Sequence, residues 1–249
     1  MSGHSKWSTI KRKKAAVDAE RGKVFTKLAK EITVSARVGG SDESANPRLR
    51  TAILAARGAN MPTANIERAI KKGTGELEGV TYEEITYEAY GPGGVAFMID
   101  VMTDNKNRTV SDIRHLLTKH GGNLGSSGSV AWMFESKGVI TVLADGVDEE
   151  DVLLASMDAG AEDFNSEDDL FEIITAMNDL HSVSTKLVES GLKVDNAEIR
   201  KIPNNFTEIS QKDVASVVRL LEALEDHDDV QKVSASVDFT DEMLADLEL

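Results

Sequence analysis

The hydrophobic pattern of this 249-residue chain changes its period near residue 82, and that change divides the chain into a helical part and a mixed part. Before this point apolar residues such as Phe25, Leu28 and Ile32 recur every three to four positions, which is typical of amphipathic helices. After it, residues 85–89 alternate between apolar and polar side chains, as in a half-buried strand. The pattern therefore predicts an all-helical N-terminal unit followed by α+β structure.

Three helices are predicted before the change of period. The first runs from about residue 15 to residue 38 and ends at a pair of glycines. The second begins at Asn46–Pro47, where Asn46 is the expected N-cap and the proline takes the first helical position. The third has Thr63 as its expected N-cap and Gly73 as the glycine just past its end. Because each helix has one apolar face, we expect the three to form a small bundle.

Two interleaved sets of strands and helices follow. Residues 138–203 give the order β-α-β-β-α-β, which is typical of a ferredoxin-like module. The flanking segments give a second such order, with strands near 95–101, 130–136, 206–210 and 230–238 and helices near 106–120 and 212–225. We therefore predict an α+β protein with an N-terminal three-helix bundle and two ferredoxin-like α+β domains, one nested in the other. The expected parts are a flexible basic arm (1–14), a basic helical bundle (15–78), a discontinuous α+β domain (79–136 plus 204–249) and an inserted α+β domain (137–203).

Charge is divided along the chain as sharply as periodicity. Residues 1–75 hold 16 Lys and Arg against 6 Asp and Glu, a balance of +10, whereas residues 76–249 have a balance of −25. The isoelectric point of about 4.8 conceals this cationic end. A division of this kind indicates that one part binds a polyanion and the other does not.

The cations of the N-terminal part fall into groups that suit phosphate binding. On a helical wheel, the basic residues of the first helix lie in one stripe opposite its apolar face, so we expect an outward row. Further arginines lie on the second helix, a cluster lies on the third, and Trp7 in the arm can stack on a base or pack against the bundle. A lysine row can also serve only as a solvated helix face. The candidate nucleic-acid-binding residues are Lys6, Trp7, Lys11, Arg12, Lys13, Lys14, Lys23, Lys27, Lys30, Arg68, Lys71 and Lys72.

The composition argues against several other classes of protein. The absence of cysteine excludes disulfides and thiolate metal sites and fits a cytoplasmic location. No apolar run approaches the length of a membrane span, and we expect no membrane association. The five histidines show no metal-binding spacing, and no nucleophile–base pair is recognisable. We therefore expect no enzyme activity, no metal, no cofactor and no small-molecule substrate.

Two further polar segments have a structural interpretation. Residues 103–117 carry Arg108, Arg114 and His115, which can contact RNA or a protein, but Asp104 or Asn105 as a helix N-cap explains much of the segment. The glycine-rich residues 91–96 and 120–129 lack the spacing of a dinucleotide or P-loop motif, and we expect both to be turns.

The same segments carry a resemblance to a known family. GHSKWSTIKRKKAAVDAERGKVFTKLAKEI (3–32), NMPTANIERAIKKG (60–73), YEAYGPGGVA (87–96), DNKNRTVSDIRHLLTKHGGNLG (104–125) and GSVAWMFE (128–135) are similar, in order, to motifs of the YebC/PmpR family. That family includes the mitochondrial translational activator of cytochrome c oxidase. The resemblance covers nearly the whole chain and is most specific before residue 135.

The resemblance implies a cytoplasmic, non-enzymatic regulator with a helical bundle and two α+β domains. Two roles are implied: a DNA-binding transcriptional regulator, and a ribosome-associated factor that eases translation of difficult sequences such as proline runs. The partner is then DNA or ribosomal RNA, and the acidic domains would face basic ribosomal proteins. The lysine-rich faces predict phosphate affinity better than base readout. A protein-interaction scaffold without nucleic acid is a third possibility.

Overall fold

The computed structural model describes residues 18–167 and 170–245, which form helical and mixed α+β regions. The predicted arm at 1–14 lies outside the described residues. The α+β class is confirmed. The described part of the chain contains α1 (Asp18–Gly39), α2 (Pro47–Gly58), α3 (Thr63–Thr74), β1 (Glu83–Tyr90), β2 (Ala96–Thr103), α4 (Lys106–Lys119), β3 (Asn123–Leu124), β4 (Phe134–Leu143), α5 (Glu149–Ala159), β5 (Asp163–Glu167), β6 (Leu170–Ala176), α6 (Leu180–Glu189), β7 (Val194–Pro203), α7 (Gln211–Glu225), β8 (Val230–Ala235) and α8 (Asp241–Leu244).

Helices α1, α2 and α3 pack around one apolar core. Ile32, Leu49 and Ile53 are completely buried there, and Phe25 and Leu28 pack against them. The N-cap predicted for α2 is confirmed, because the side chain of Asn46 accepts a hydrogen bond from the Leu49 amide at 3.0 Å. The apolar faces read from the sequence are therefore the faces that the bundle buries.

The two boundaries predicted for α3 are wrong. Pro62 occupies the N-cap position without a side-chain hydrogen bond, so Thr63 is the first helical residue. At the other end, the left-handed residue is Gly75, with φ of 82°, and Gly73 lies inside the helix. A Cβ on Gly73 would lie 2.4 Å from the Thr33 carbonyl oxygen of α1. The glycine at this position therefore permits close packing of two helices.

The inserted region forms an antiparallel sheet with the strand order β5-β6-β4-β7. In chain order these are the second, third, first and fourth strands, which is the order of the ferredoxin-like fold. Helices α5 and α6 pack on one face of this sheet, over a core that includes Ile140, Ile173 and Leu187. The β-α-β-β-α-β order predicted for residues 138–203 is confirmed.

The other sheet has the order β3-β1-β2-β8 and is also antiparallel. It is covered by α4 and α7, with Phe97, Ile113 and Leu220 fully buried between the layers. Three of its strands precede the inserted sheet in the chain (residues 83–124) and one follows it (residues 230–235). We call this sheet the outer sheet. Division of the chain into domains at 136/137 and 203/204 stays a prediction.

Two of the strands predicted for the outer sheet are wrong. Residues 131–133 form a 3₁₀ turn, and residues 134–143 continue as the single strand β4 of the inserted sheet. Residues 206–210 are not a strand, although the Thr207 amide donates to the Ser236 carbonyl at 2.6 Å. Strand β1 lies next to β2 in the middle of the outer sheet, at the position expected for residues 206–210. Alternating side chains show that a segment is extended, but not which sheet it joins.

The two sheets are held together by ion pairs where β7 passes β8. Lys232 of β8 pairs with Glu198 of β7 at 2.5 Å, and Lys201 of β7 pairs with Asp100 of β2. Burial raises the pKa of Glu198, but Lys232 and Arg200 outweigh it and lower that pKa to about 2. The carboxylate is therefore charged at neutral pH and fixes the inserted sheet to the outer one.

Candidate nucleic-acid interface

Within residues 18–167 and 170–245, the predicted cations that remain unpaired lie on the exposed face of α3. Arg68, Lys71 and Lys72 are all exposed. Among the described residues, no side chain forms a hydrogen bond or an ion pair with their side-chain nitrogens. Positions 68 and 72 are four apart and lie on one face of the helix. Three positive charges on about one and a half helical turns are therefore available to an anion.

The cationic stripe of α1 does not face solvent as predicted. Lys23 pairs with Asp226 at 2.9 Å, and the Lys27 ammonium donates to the Glu225 carbonyl oxygen at 2.5 Å. Arg37, the last cation of the stripe, is exposed and donates to the Tyr82 carbonyl oxygen at 2.5 Å. Most of the stripe therefore packs on the acidic turn of residues 225–229, which follows α7.

The expected exposure of Lys30 is wrong, because this residue is the buried end of the stripe. Its ammonium donates to Asp229 Oδ1 at 2.7 Å and to the Asp228 carbonyl oxygen at 2.9 Å. It also lies 5.5 Å from the centre of the Tyr82 ring, within the range of a cation–π contact. With 7% of its surface exposed, Lys30 joins the bundle to the outer sheet and has no free face for a phosphate.

Asp229 is the centre of this junction. Its carboxylate also accepts hydrogen bonds from Arg108 at 2.8 Å and from Thr109 at 2.7 Å. Burial raises the pKa of Asp229, but the hydrogen bonds from Arg108, Lys30 and Thr109 outweigh it and hold that pKa well below its usual range. Lys30 and Arg108 thereby share one buried anion, which lies 199 positions from Lys30 in the sequence, and Arg108 has Asp104 as a second partner at 2.8 Å.

The arginines of α2 are also engaged within the molecule. Arg48 lies between Glu31 of α1 at 2.8 Å and Glu84 of β1 at 2.6 Å. Arg50 donates to backbone carbonyls of the preceding loop, and Arg57 pairs with Glu43 at 3.4 Å. These side chains stabilise the bundle and its contact with β1, and they are poor candidates for the interface.

The remaining candidates from the sequence either lie outside the described residues or have a structural role. Lys6, Trp7, Lys11, Arg12, Lys13 and Lys14 lie outside the described residues. In the polar segment before α4, Asn105 is the N-cap and accepts from the Arg108 amide at 3.1 Å, which confirms the structural interpretation. The predicted glycine turn at 91–96 is also confirmed, with a 3₁₀ turn at Pro92–Gly94.

A groove of about 260 Å³ runs between α1 and α3, beside the exposed cations. Phe25, Ala29 and Met61 supply apolar surface to it, and Arg68 and Lys72 supply charge. Sequence reasoning missed this groove, because it depends on how two helices cross. The only local signal is the glycine at position 73, which allows the helices to approach.

An exposed tryptophan also escaped the sequence analysis. Trp132 lies in the segment predicted as a strand, and 71% of its surface is exposed. Its loop is held by the buried carboxylate of Glu88, which accepts the amides of Gly128, Val130 and Ala131 at 2.6–2.8 Å. The serine- and glycine-rich run just before it was the signal that the segment is a turn.

Other kinds of site find no support in the described ranges. No cluster of three or more His, Asp or Glu residues there is arranged to hold a metal ion. Among the same residues, no helix has both the length and the hydropathy needed to cross a membrane.

Comparisons with known proteins agree with this architecture. A probable transcriptional regulatory protein of Desulforapulum autotrophicum is 54% identical over 243 residues and is matched over 98% of both chains. One of Chlorobaculum tepidum is 53% identical over 249 residues, covering 100% of this chain and 99% of the relative. The crystal structure of a conserved hypothetical protein from Aquifex aeolicus superposes with a TM-score of 0.86 at 50% identity, covering 90% of this chain and 92% of that one.

Family models account for both parts of the chain. The model described as the TACO1/YebC protein N-terminal domain matches residues 5–76, which include the bundle and the cations of α3. The model described as the TACO1/YebC second and third domain matches residues 82–237, which include both sheets. The boundary between the two matches falls where the hydrophobic period changes. The resemblance read from the sequence is confirmed, and the chain belongs to the TACO1/YebC family.

Proposed function

We propose that this chain regulates gene expression by binding nucleic acid through α3 and the basic segment that precedes the bundle. The observation that carries the proposal is the group Arg68, Lys71 and Lys72, which is exposed and unpaired among the described residues of a strongly acidic protein. Phosphate contacts of such cations release counterions and supply most of the affinity for a polyanion. Relatives named probable transcriptional regulatory proteins favour DNA as the target.

The contribution of the arm is part of the same proposal. Lys6, Lys11, Arg12, Lys13 and Lys14 would add phosphate contacts, and Trp7 would stack on a base. Lys23 and Lys27 would contribute only where a phosphate displaces their partners in the turn after α7. Lys30 is no longer included, because its charge is buried against Asp229. The interface is thus narrower than the sequence suggested.

A charge-reversal experiment tests this function. We expect the triple variant Arg68→Glu, Lys71→Glu and Lys72→Glu to lose binding to labelled DNA and RNA at low salt. The slope of log Kd against log salt concentration should decrease by about 2 to 3, since three phosphate contacts are lost. The matched control reverses three exposed lysines elsewhere, at Lys119, Lys193 and Lys212, with the same change in net charge.

The control separates local contact from net charge. If both triple variants weaken binding equally, the effect is long-range repulsion and the α3 interface is wrong. If neither does, binding through α3 is wrong and the proposed function fails. Circular dichroism of both variants establishes that the helices are intact.

A translation role is the second candidate, and the groove beside α3 favours it. A duplex keeps its bases stacked, whereas looped and single-stranded RNA offers bases that enter a groove of this size. In that role the cationic face would contact ribosomal RNA in the cytoplasm, and the acidic domains would face basic ribosomal proteins. Crosslinking followed by sequencing of the recovered nucleic acid distinguishes promoter DNA from ribosomal RNA.

A further inference from the structure

The groove between α1 and α3 combines an apolar floor with an unpaired polar rim. Phe25 and Ala29 of α1 and Met61 before α3 form apolar walls. Its volume, about 260 Å³, is just below the range of about 300–1,000 Å³ typical of sites for drug-sized ligands. The groove is therefore suited to one flat group and too small for a helix or a strand of a partner protein.

The rim carries groups that recognise a nucleotide. Asn65, Arg68 and Lys72 follow one another on successive turns of the same face of α3, and all three are exposed. An amide offers both a donor and an acceptor to a base edge, and a guanidinium next to an ammonium suits a phosphate. None of the three side chains is hydrogen-bonded to another residue in the described ranges, so these groups are available.

The floor and the rim differ in charge because Lys30 is neutralised. Lys30 and Tyr82 also line the groove, but the Lys30 ammonium is paired with Asp229 at 2.7 Å and lies 5.5 Å from the centre of the Tyr82 ring. The positive charge available to a ligand is therefore confined to Arg68 and Lys72 at the rim. A ligand that fits must have an uncharged, flat part to enter and an anionic part that stays at the edge.

We propose that this groove binds one unpaired nucleotide of the target strand, with its base between α1 and α3 and its phosphate at Arg68 and Lys72. The inference rests on the proposed nucleic-acid binding and deepens it, because it makes the preferred target single-stranded or looped. Stacking and hydrogen bonding of an extruded base are available only where the base is not paired. Single-stranded RNA and single-stranded DNA share this chemistry.

The test fills the groove without changing charge. Thr26 and Ala29 face it from α1, and the double variant Thr26→Leu with Ala29→Leu adds apolar volume there. The matched control is Thr51→Leu with Ala55→Leu on the exposed face of α2. Thr26 and Thr51 are comparable, since each hydroxyl donates to the carbonyl four residues earlier, at 3.0 and 3.1 Å.

The probes are fluorescein-labelled twelve-nucleotide uridine RNA, twelve-nucleotide thymidine DNA and a twelve-base-pair DNA duplex. We expect the full-length wild-type chain to bind the single strands more tightly than the duplex at equal salt. The groove-filling variant should bind the single strands about tenfold more weakly, from the loss of one base contact. Its duplex affinity and the affinities of the α2 control should match those of the wild type.

Comparison of the RNA strand with the DNA strand shows which kind of nucleotide the groove prefers. A second variant tests the site without the risk that added volume disturbs the fold. Equal effects on the RNA and the DNA strand indicate recognition of base and phosphate alone, whereas a larger effect on RNA adds the 2′-hydroxyl. Asn65→Ala removes one exposed reader without filling the groove and should weaken single-strand binding about threefold or more. Its helices should be unchanged by circular dichroism.

Failure of this inference is distinguishable from failure of the proposed function. If the groove-filling variant and Asn65→Ala bind single strands as the wild type does, while reversal of Arg68, Lys71 and Lys72 abolishes binding, the interface stands and the nucleotide site is wrong. A wild-type preference for the duplex also overturns the site. If reversal of the three cations changes nothing, the proposed function itself fails.

Discussion

Replacement of Asp229 by asparagine removes a buried anion that holds the bundle against the outer sheet. The side chains of Asp229 and Lys30 are only 6% and 8% exposed, so their charges are shielded from water. Asparagine keeps the shape of aspartate and one acceptor oxygen but removes the charge, so the Lys30 ammonium is left with neutral acceptors only, among them the carbonyls of Met102 and Asp228. A buried cation without its counter-charge is costly, and we expect the junction to weaken.

The magnitude follows from the contacts. Loss of one partner of a buried ion pair typically costs about 3–5 kcal/mol. The two remaining carbonyls place Lys30 at the lower end of that range. The second partner, Arg108, is 47% exposed, and its share is below about 1 kcal/mol. We therefore expect Asp229→Asn to lower the free energy of unfolding by about 3 kcal/mol.

Urea unfolding followed by circular dichroism measures this loss. The control is Asp226→Asn, the same change three residues away in a pair with Lys23 whose side chains are 43% and 67% exposed. We expect it to cost less than about 1 kcal/mol. A double-mutant cycle with Lys30→Met completes the test, because Asp229→Asn should cost much less once the buried cation is gone.

Two results would refute the reasoning. Equal losses for Asp229→Asn and Asp226→Asn would mean that burial of the first pair has no energetic weight. Additive losses in the cycle with Lys30→Met would mean that the two side chains do not act as a pair. Hydrogen exchange of α1 amides locates the weakened contact, since the bundle should open before the sheets do.

Two other changes follow from the same packing. Gly73→Ala should destabilise the bundle by about 1–3 kcal/mol, because its Cβ meets the backbone of α1, whereas Gly58→Ala at an open helix position should be neutral or stabilising; thermal unfolding compares them. The folded-state pKa of Asp229 is depressed, so its stabilisation is present above the unfolded pKa of about 3.9 and is lost as pH falls below that value. The difference in unfolding free energy between wild type and Asp229→Asn should therefore shrink from pH 5 to pH 2.5, and a constant difference would contradict the assignment.

Local signals in the sequence predicted much of this fold, and contacts between distant segments account for what they missed. The cap at Asn46 and the strand–helix order of residues 138–203 depend on neighbours within a few positions, and both are confirmed. The outward position of Lys30 was wrong, because its partner Asp229 is 199 positions away. A helical wheel separates apolar from charged faces, but it does not show that a charged face is covered by another domain.

The candidate site was harder to predict for the same reason. The sequence placed Arg68, Lys71 and Lys72 together on the third helix, and all three are exposed in the structure. The groove beside them depends on a helix crossing that no local pattern contains. The strand predicted near residues 130–136 was wrong at Trp132, because the chain forms a 3₁₀ turn at residues 131–133. Local patterns thus identify the charged residues of a site more readily than its shape.

The structure shows that some of the N-terminal cations pair with acidic residues of the same chain. Part of the cationic excess, carried by α1, neutralises the acidic turn of residues 225–229 and joins the bundle to the outer sheet. Another part, carried by Arg68, Lys71 and Lys72 of α3, is exposed. Screening over about 8 Å at physiological salt confines the repulsion of the acidic domains to a ligand that approaches them closely. On the function proposed above, we therefore expect a polyanion at α3 to be repelled only where it comes within about 8 Å of the acidic domains.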